Sequence, residues 1–262
     1  MSTRPTALIT GASEGIGREL AGLFAADGYD LILVSRNRNR LEALAQMLKN
    51  LHSGTVQVVA KDLAQSAAPQ ELYQHVLKSR CTIDVLVNNA GFGTYGKFSS
   101  LEWAPEAELL QLNIVSLTQL TRLFLPAMLE QHAGKILNVA SVAAYFPGPL
   151  MTTYYASKAY VRSFTNAVAD EIRGSGVTIS LLCPGPTKTQ FHARALMEDA
   201  RLVSKRRRMS SEKVARIGYH GLMKGKRIIL PGWQNKILSQ VSRCIPDALA
   251  ARAVGYLHER DR

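Results

Sequence analysis

Tyr154 and Lys158 lie four residues apart in the segment Tyr154-Tyr155-Ala156-Ser157-Lys158. The surrounding pattern predicts a helix running to about Arg173, and residues at i and i+4 share one helix face. A phenol and an ammonium on one face make a proton-transfer pair. A free phenol has a pKa of ~10, and bringing it to ~7 takes about 4 kcal/mol of differential stabilisation. A cation ~4–5 Å away, at an effective dielectric near ~20, supplies roughly 3–4 kcal/mol. Tyr154 could then give a proton to a carbonyl oxygen or take one from an alcohol. Tyr155, three residues from Lys158, reads as packing. Upstream, Ser141 follows an apolar strand-like run, and its hydroxyl suits holding and polarising the same oxygen. A Tyr-x-x-x-Lys spacing occurs by chance in many chains, so its weight depends on its companions.

The elements that must position these residues alternate from the start. Short β-branched or apolar runs at Ala7–Thr10, Leu31–Val34, Val56–Ala60, Val85–Asn88, Ile136–Val139, Val177–Leu182 and Ile228–Leu230 predict about seven strands. Stretches with helical spacing, such as Leu20, Leu23 and Phe24, or Leu41, Leu44, Ala45 and Leu48, lie between them. Strands joined by helices pair in parallel through right-handed crossovers. The expected fold is α/β, a doubly wound parallel sheet flanked by helices, with ligands at the carboxyl ends of its strands. One domain over 1–262 is expected, with 190–212 as a mobile helical insertion and 234–262 as a short helical tail broken at Pro246.

The first strand ends in Thr10-Gly11-Ala12-Ser13-Glu14-Gly15-Ile16-Gly17, and a helix is predicted next. Glycines permit a tight turn and close approach of backbone to a pyrophosphate, and the helix start offers free N–H groups and a positive dipole end. This TGxxxGxG wording resembles the short-chain dehydrogenase/reductase family, in its short single-domain, Rossmann-like form. The resemblance is dense from residue 6 to about 190 and weaker beyond. It also covers Asn88-Asn89-Ala90-Gly91 after the fourth strand, the Tyr154/Lys158 pair, and Cys183-Pro184-Gly185-Pro186-Thr187-Lys188-Thr189 after the sixth.

The resemblance implies Asn113, Ser141, Tyr154 and Lys158 as the catalytic set, with Asn113 bending its helix and holding a water on the route to the lysine. It implies a nicotinamide cofactor along Gly11, Ser13, Gly15, Ile16 and Gly17, bordered by Asn89, Ala90 and Gly91 and by Tyr154 and Lys158. Asp62 would contact the adenine amino group, with Leu63 packing nearby. Pro184, Gly185, Thr187 and Thr189 would meet the nicotinamide end. The positive charge of an oxidised nicotinamide would complete the lowering of the Tyr154 pKa.

The choice of cofactor is readable from residues. Enzymes using NAD place an acid at the end of the second strand to accept from the ribose hydroxyls. This chain has Ser35 followed by Arg36, and a guanidinium suits the 2′-phosphate of NADP(H). Glu14 departs from the pattern, since some NADP-using members carry a base there. Arg38 and Arg40 read as the solvated start of a helix.

Composition narrows the remainder. The net charge is +12, hydrophobic residues make up 47%, and mean hydropathy is −0.03, as for a globular chain. No apolar run is expected to reach the ~18–20 residues of a membrane span, and no secretory leader is expected. The three cysteines (Cys81, Cys183 and Cys244) and six scattered histidines argue against a disulfide framework and a metal site, and for a cytoplasmic setting. Cys183 reads as a buried strand residue. Phe92, Tyr95, Tyr145, Phe146, Phe191, Leu196 and Met197 are expected to wall a cavity for a lipophilic ketone or aldehyde, 3-oxoacyl or hydroxysteroid-like. Arg201, Lys205 and Arg208 would share a helix face; a solvated lid, an acidic carrier and an anionic membrane surface all remain open for them. Nucleic acid is not an expected partner, because no recognised binding module accompanies the charge. A homo-oligomer is implied by the resemblance alone. Two rivals stand beside the oxidoreductase: an epimerase or dehydratase, which would need a larger C-terminal substrate domain, and a non-catalytic NADPH-sensing or interaction protein.

Overall fold

A computed structural model describes residues 4–188, 208–242 and 244–259. Seven strands form one parallel sheet in the order β3-β2-β1-β4-β5-β6-β9. They are β1 (Thr6–Thr10), β2 (Asp30–Ser35), β3 (Val56–Ala60), β4 (Val85–Asn88), β5 (Gly134–Val139), β6 (Val177–Leu182) and β9 (Ile228–Ile229). The strand order reverses between β1 and β4, where a doubly wound sheet opens a crevice at its carboxyl edge. Every residue of β1 and β4 is buried, because helices cover both faces and the strands can be apolar throughout.

One face carries α1 (Gly15–Ala26), α2 (Arg38–Leu51) and α7 (Ser211–Met223), packed through Leu20, Phe24, Leu41 and Leu222. The other carries α3 (Ala68–Lys78) and α5 (Leu117–Glu130) through Leu72, Val76, Leu120 and Phe124, with Val168 and Ala169 near the end of the helix Thr152–Glu171 packed into the same layer. Beside the sheet run α4 (Trp103–Leu110), α6 (Thr152–Glu171), and two helices near the C-terminus, α8 (Trp233–Val241) and α9 (Asp247–His258), with Pro246 immediately before α9.

The structure changes two expectations and gives form to a third, the irregularity implied for the helix at Asn113. Residues 209–210 are not helical: β7 (Thr187–Lys188) pairs in parallel with β8 (Met209–Ser210) as a small separate ribbon, and α7 starts at Ser211. Most of the predicted insertion, with Phe191, Leu196, Met197, Arg201 and Lys205, lies outside the described residues, as does Thr189. Secondly, Trp103–Glu130 is one continuous 28-residue helix with hydropathy of 1.3 over its most apolar window, long and apolar enough to cross a membrane. It packs on the sheet through Leu120, Phe124 and Met128 while burying Glu106, Asn113 and Ser116. A core helix covering an apolar sheet needs that composition, and the intervening polar residues kept it from reading as a run. Thirdly, Gln111–Ser116, in the middle of that helix, winds as a π-helix, a widened turn often found at functional sites.

A buried amide ladder ties the layers together beneath the site. Asn88 donates from Nδ2 to Thr121 Oγ1 (3.1 Å) and Asn138 Oδ1 (2.9 Å), and Asn138 donates from Nδ2 to Thr165 Oγ1 (3.0 Å). It links β4, β5, α5 and α6, so the strand ends and the helix bearing Tyr154 share one rigid support.

Candidate active site

The crevice opens over the β1–α1 turn. Gly11 and Gly15 have φ of 65° and 56°, a region that L-residues with side chains rarely adopt. Gly17 is required for a different reason: a Cβ there would stand 2.4 Å from the Gly11 carbonyl oxygen, so the helix can enter this close only with glycine. The opposite wall pins the turn. Asn89 donates from Nδ2 to the carbonyls of Thr10 (3.0 Å) and Gly11 (3.2 Å), while Thr10 Oγ1 accepts from the backbone N–H groups of Asn89 (2.9 Å) and Ala90 (3.0 Å). Glu14, at the N-cap of α1, makes no side-chain cap, which leaves the first-turn N–H groups to a ligand.

The cleft above this turn has a volume of ≈ 530 Å³ and runs from the end of β2 to the start of α6. Gly11, Ser13, Gly15 and Ile16 form its floor. Arg36, Asp62 and Leu63 line one end, Asn89, Ala90 and Gly91 the middle, and Ser141, Tyr154, Lys158, Pro184, Gly185 and Thr187 the other end. The structure thus brings nearly all the sequence-predicted residues to one surface. Two of them lie outside it. Gly17 sits behind the turn, and Asn113, only 1% exposed, sits behind the wall.

Asn113 acts on that wall through backbone. Its Nδ2 donates to Phe92 O (3.0 Å) and Ser157 Oγ (3.1 Å), and its Oδ1 accepts from Phe92 N (3.2 Å). A Cβ on Gly91 would meet Asn113 Oδ1 at 2.9 Å and Lys158 Nζ at 3.3 Å. Asn113 is therefore a neighbour of Lys158, clipped between the strand-four loop and α6 by the widened turn it occupies.

Tyr154 and Lys158 project from the first turns of α6 on one face, with the ammonium 5.7 Å from the phenol ring centre. Lys158 Nζ donates to Val139 O at the end of β5 (3.1 Å). Ser141 opens the β5–α6 connection; its Oγ accepts from Ala143 N (3.1 Å) and lies within hydrogen-bond reach of the Tyr154 phenol. Without the nicotinamide charge that the expected lowering to ~7 includes, burial dominates the electrostatics of the pair. Burial pushes Tyr154 up to about 12, opposed by the hydrogen bond from Ser141. Burial likewise pulls Lys158 down to about 8. Desolvation disfavours each charged form, and for Tyr154 it outweighs the hydrogen bond from Ser141. Cys183 is fully buried as expected but stands one residue past the end of β6, and burial pushes its thiol up to about 12, in keeping with a packing residue rather than a nucleophile.

Several site features were missed from sequence. Lys61 and Asn37 line the cleft beside Arg36. Lys61 stands next to Asp62 at a strand end, the same signal that singled out Arg36. The Ser35 hydroxyl, also on the lining, is buried and has no hydrogen-bond partner among the described residues. Arg40 is not simply solvated: it pairs with Glu14 at 2.5 Å, while Arg36 stands 3.9 Å from Asp62. Tyr145 does not wall the cavity; it turns to a separate cluster under the Arg162 guanidinium, 4.3 Å from its ring. Of the other expected wall residues, Phe92 lines the cleft, joined there by Met151 and Tyr155, whereas Tyr95 and Phe146 pack in the cluster around Tyr154 without reaching the lining. Tyr155 is more than packing: its hydroxyl meets His258 Nε2 at 2.9 Å, and it lines the cleft.

Residues 5–199 match the family model described as short chain dehydrogenase. The chain is 30% identical over 255 residues to hydroxysteroid dehydrogenase-like protein 1 of Gallus gallus, covering 95% of this chain and 75% of that protein. It is 33% identical over 177 residues to a very-long-chain 3-oxoacyl-CoA reductase of Phaeosphaeria nodorum, covering 66% of this chain and 52% of that protein. A solved short-chain dehydrogenase from Sphingobium yanoikuyae, in complex with NADPH, superposes with a TM-score of 0.82 at 29% identity, over 95% of this chain and 99% of the other. The glycine turn at the sheet's switch point and the phenol–ammonium pair at its far edge have their explanation in that kinship: the chain belongs to the short-chain dehydrogenase family, oxidoreductases that use a nicotinamide cofactor to interconvert alcohols and carbonyls.

Proposed function

We propose that this protein is an NADPH-dependent reductase of lipophilic ketones or aldehydes, of 3-oxoacyl or hydroxysteroid type, with Tyr154 as proton donor. The observation that carries the reaction is the convergence of Ser141, Tyr154 and Lys158 at one end of a cleft whose other end is built for a dinucleotide.

The residues present fit such a cofactor. The uncapped start of α1 and the Gly11–Gly15 turn would take the pyrophosphate. Ser35 and Arg36 would take the 2′-phosphate: the Ser35 hydroxyl is buried without a hydrogen-bond partner among the described residues, and the Arg36 guanidinium is half-exposed beside it, its contact to Asp62 a loose 3.9 Å. The Glu14–Arg40 pair supports the same choice, since it neutralises the acid standing where some relatives carry a base. Asp62 and Leu63 would border the adenine, and Pro184, Gly185 and Thr187 the nicotinamide. When bound, the reduced cofactor supplies the hydride to the carbonyl carbon.

The chain's own groups manage the oxygen. Ser141 Oγ donates to the carbonyl oxygen and polarises it. Burial keeps Tyr154 protonated at neutral pH, the state a donor needs, and its O–H bond breaks as negative charge gathers on that oxygen. Lys158 is mostly charged at pH 7 and stabilises the phenolate as it forms. Asn113 keeps Lys158, Phe92 and Ser157 in register. Phe92, Met151 and Tyr155 give the substrate end an apolar lining, which supports the lipophilic substrate class together with the names of the relatives. A panel of ketones and aldehydes of graded size, followed by the loss of nicotinamide absorbance, tests the reading. Turnover of the bulkier members with NADPH is expected; binding of NADPH with no turnover of any carbonyl would favour a sensor instead. We further propose, on the family resemblance, a cytoplasmic homo-oligomer, which sizing of the purified protein tests for its assembly state.

A further inference from the structure

The last residue of α9 is joined by three hydrogen bonds to segments more than 100 residues earlier in the chain. His258 is fully buried. Its Nδ1 lies 2.7 Å from Pro149 O, its Nε2 lies 2.9 Å from Tyr155 Oη, and its own carbonyl accepts from Tyr95 Oη at 2.7 Å. The tautomer follows from the partners. A carbonyl only accepts, so Nδ1 carries the hydrogen, Nε2 is the acceptor, and Tyr155 donates to it. The imidazole and the Tyr155 ring also meet edge to face at 5.3 Å.

These contacts fall on the elements that carry the chemistry. Pro149 leads through Leu150 to Met151, which lines the cleft just before α6. Leu150 has φ of 66°, an unfavourable conformation for a branched side chain, and its carbonyl is held by Gly96 N at 2.8 Å. Tyr155 follows Tyr154 directly and also lines the cleft. One turn before His258, Val254 packs into the same apolar cluster as Met151, Tyr154, Tyr155 and Phe92, and Gly255 lies against Pro149. Burying an imidazole costs free energy unless its nitrogens are hydrogen-bonded, and here both are.

We propose that His258 is a specificity-determining residue: by fastening α9 to Pro149, Tyr155 and Tyr95, it makes that helix the fixed backing of the substrate pocket. It sets how large a group the pocket accepts beside Tyr154. This inference rests on the proposed reduction of lipophilic carbonyls for its kinetic part alone; the fastening stands on geometry. His258 reaches the cleft through Tyr155, at the end that holds Tyr154, so it acts on substrate and not on cofactor.

The test compares Tyr155→Phe, His258→Asn and the double variant with the wild type. Both single changes remove the same Tyr155–His258 bond, while the Asn amide can still reach Pro149. Backbone hydrogen exchange over residues 247–258 is expected to accelerate by about tenfold in each single variant, as for loss of one buried hydrogen bond. The double variant should be no faster than either. The ratio of kcat/KM for a bulky aryl ketone to that for a small methyl ketone should rise by about tenfold in each, with the affinity of His258→Asn for NADPH unchanged. His258→Gln, whose amide oxygen can take the place of Nε2, should restore most of the protection and the selectivity. Unchanged exchange, or additive effects in the double variant, would overturn the fastening. Faster exchange with an unmoved selectivity ratio would overturn the specificity role. Wild-type turnover is read separately, so a chain that reduces nothing counts against the proposed reaction while the exchange comparison still judges the fastening.

Discussion

Replacing Lys158 by Met keeps the volume of the stem and removes the charge that faces Tyr154. The ammonium stands 5.7 Å from the phenol ring centre. For a phenolate whose charge lies within ~5–7 Å of that ammonium, a unit charge at an effective dielectric of ~20 contributes about 2–3 kcal/mol, or roughly two orders of magnitude in the ease of losing its proton. The phenol has no surplus to lose, since burial has already pushed it up to about 12. The expected result for Lys158→Met is a fall of about 100-fold in kcat/KM for carbonyl reduction at pH 7. The pH profile gives a second signature. Lys158 has its pKa lowered to about 8 by burial, so the wild-type rate should decline as pH rises through that value and the ammonium is lost. In the Met variant that decline should vanish, because the titrating group is gone. Steady-state rates from pH 6 to 10, with NADPH affinity measured separately by fluorescence, decide the matter. A rate loss below tenfold, or a variant keeping the same break near pH 8, would refute the electrostatic role.

Other perturbations bear on other parts of the account. Arg36→Asp should shift preference from NADPH toward NADH by about 1.5–3 kcal/mol, the worth of a charged hydrogen bond, and an unchanged ratio of the two affinities would remove Arg36 as the phosphate reader. Asn138→Ala should strip Asn88 of an acceptor and Thr165 of a donor inside the sheet support. Its cost is about 3 kcal/mol, seen as a lower denaturant midpoint at unchanged slope, and a midpoint within experimental scatter of wild type would speak against the ladder. His258 has its pKa lowered by burial, and the titratable groups touching it, Tyr95 and Tyr155, are phenols that offer no counter-charge. The neutral ring is the one that fits, so docking of α9 is fully present above the ordinary histidine range (~6.5) and weakens as pH falls below it. Exchange over 247–258, corrected for its intrinsic pH dependence, should accelerate between pH 7 and 5; constant protection would contradict this.

The strands and the local motifs were legible because short-range physics determines them. The seven main strands are runs of β-branched and apolar residues that tolerate burial on both faces, and the glycine turn needs backbone that only glycine supplies at Gly11, Gly15 and Gly17. Tyr154 and Lys158 share a face through helix periodicity alone. What escaped depends on long-range contact. The bond from Tyr155 to His258 joins residues 103 apart in sequence, and nothing near either one announces the partner. Tyr145 follows Ser141 closely, yet the 3-10 turn Val142–Tyr145 sends it beneath Arg162 instead of into the cleft. The β7–β8 ribbon has only two residues on each side, too few for any periodicity to show. The upward push of burial on the Tyr154 phenol was not legible either, because the distance to a cation can be guessed from spacing, whereas the depth of burial cannot.

The most direct measurement of the central claim is single-turnover oxidation of bound NADPH by Tyr154→Phe in the presence of a ketone that the wild type reduces. Removing one hydroxyl leaves the ring and its packing in place. The account predicts NADPH affinity within twofold of wild type and a hydride-transfer rate lower by about 10²–10⁴-fold, the usual contribution of a positioned proton donor. A variant that transfers hydride at close to the wild-type rate would contradict it.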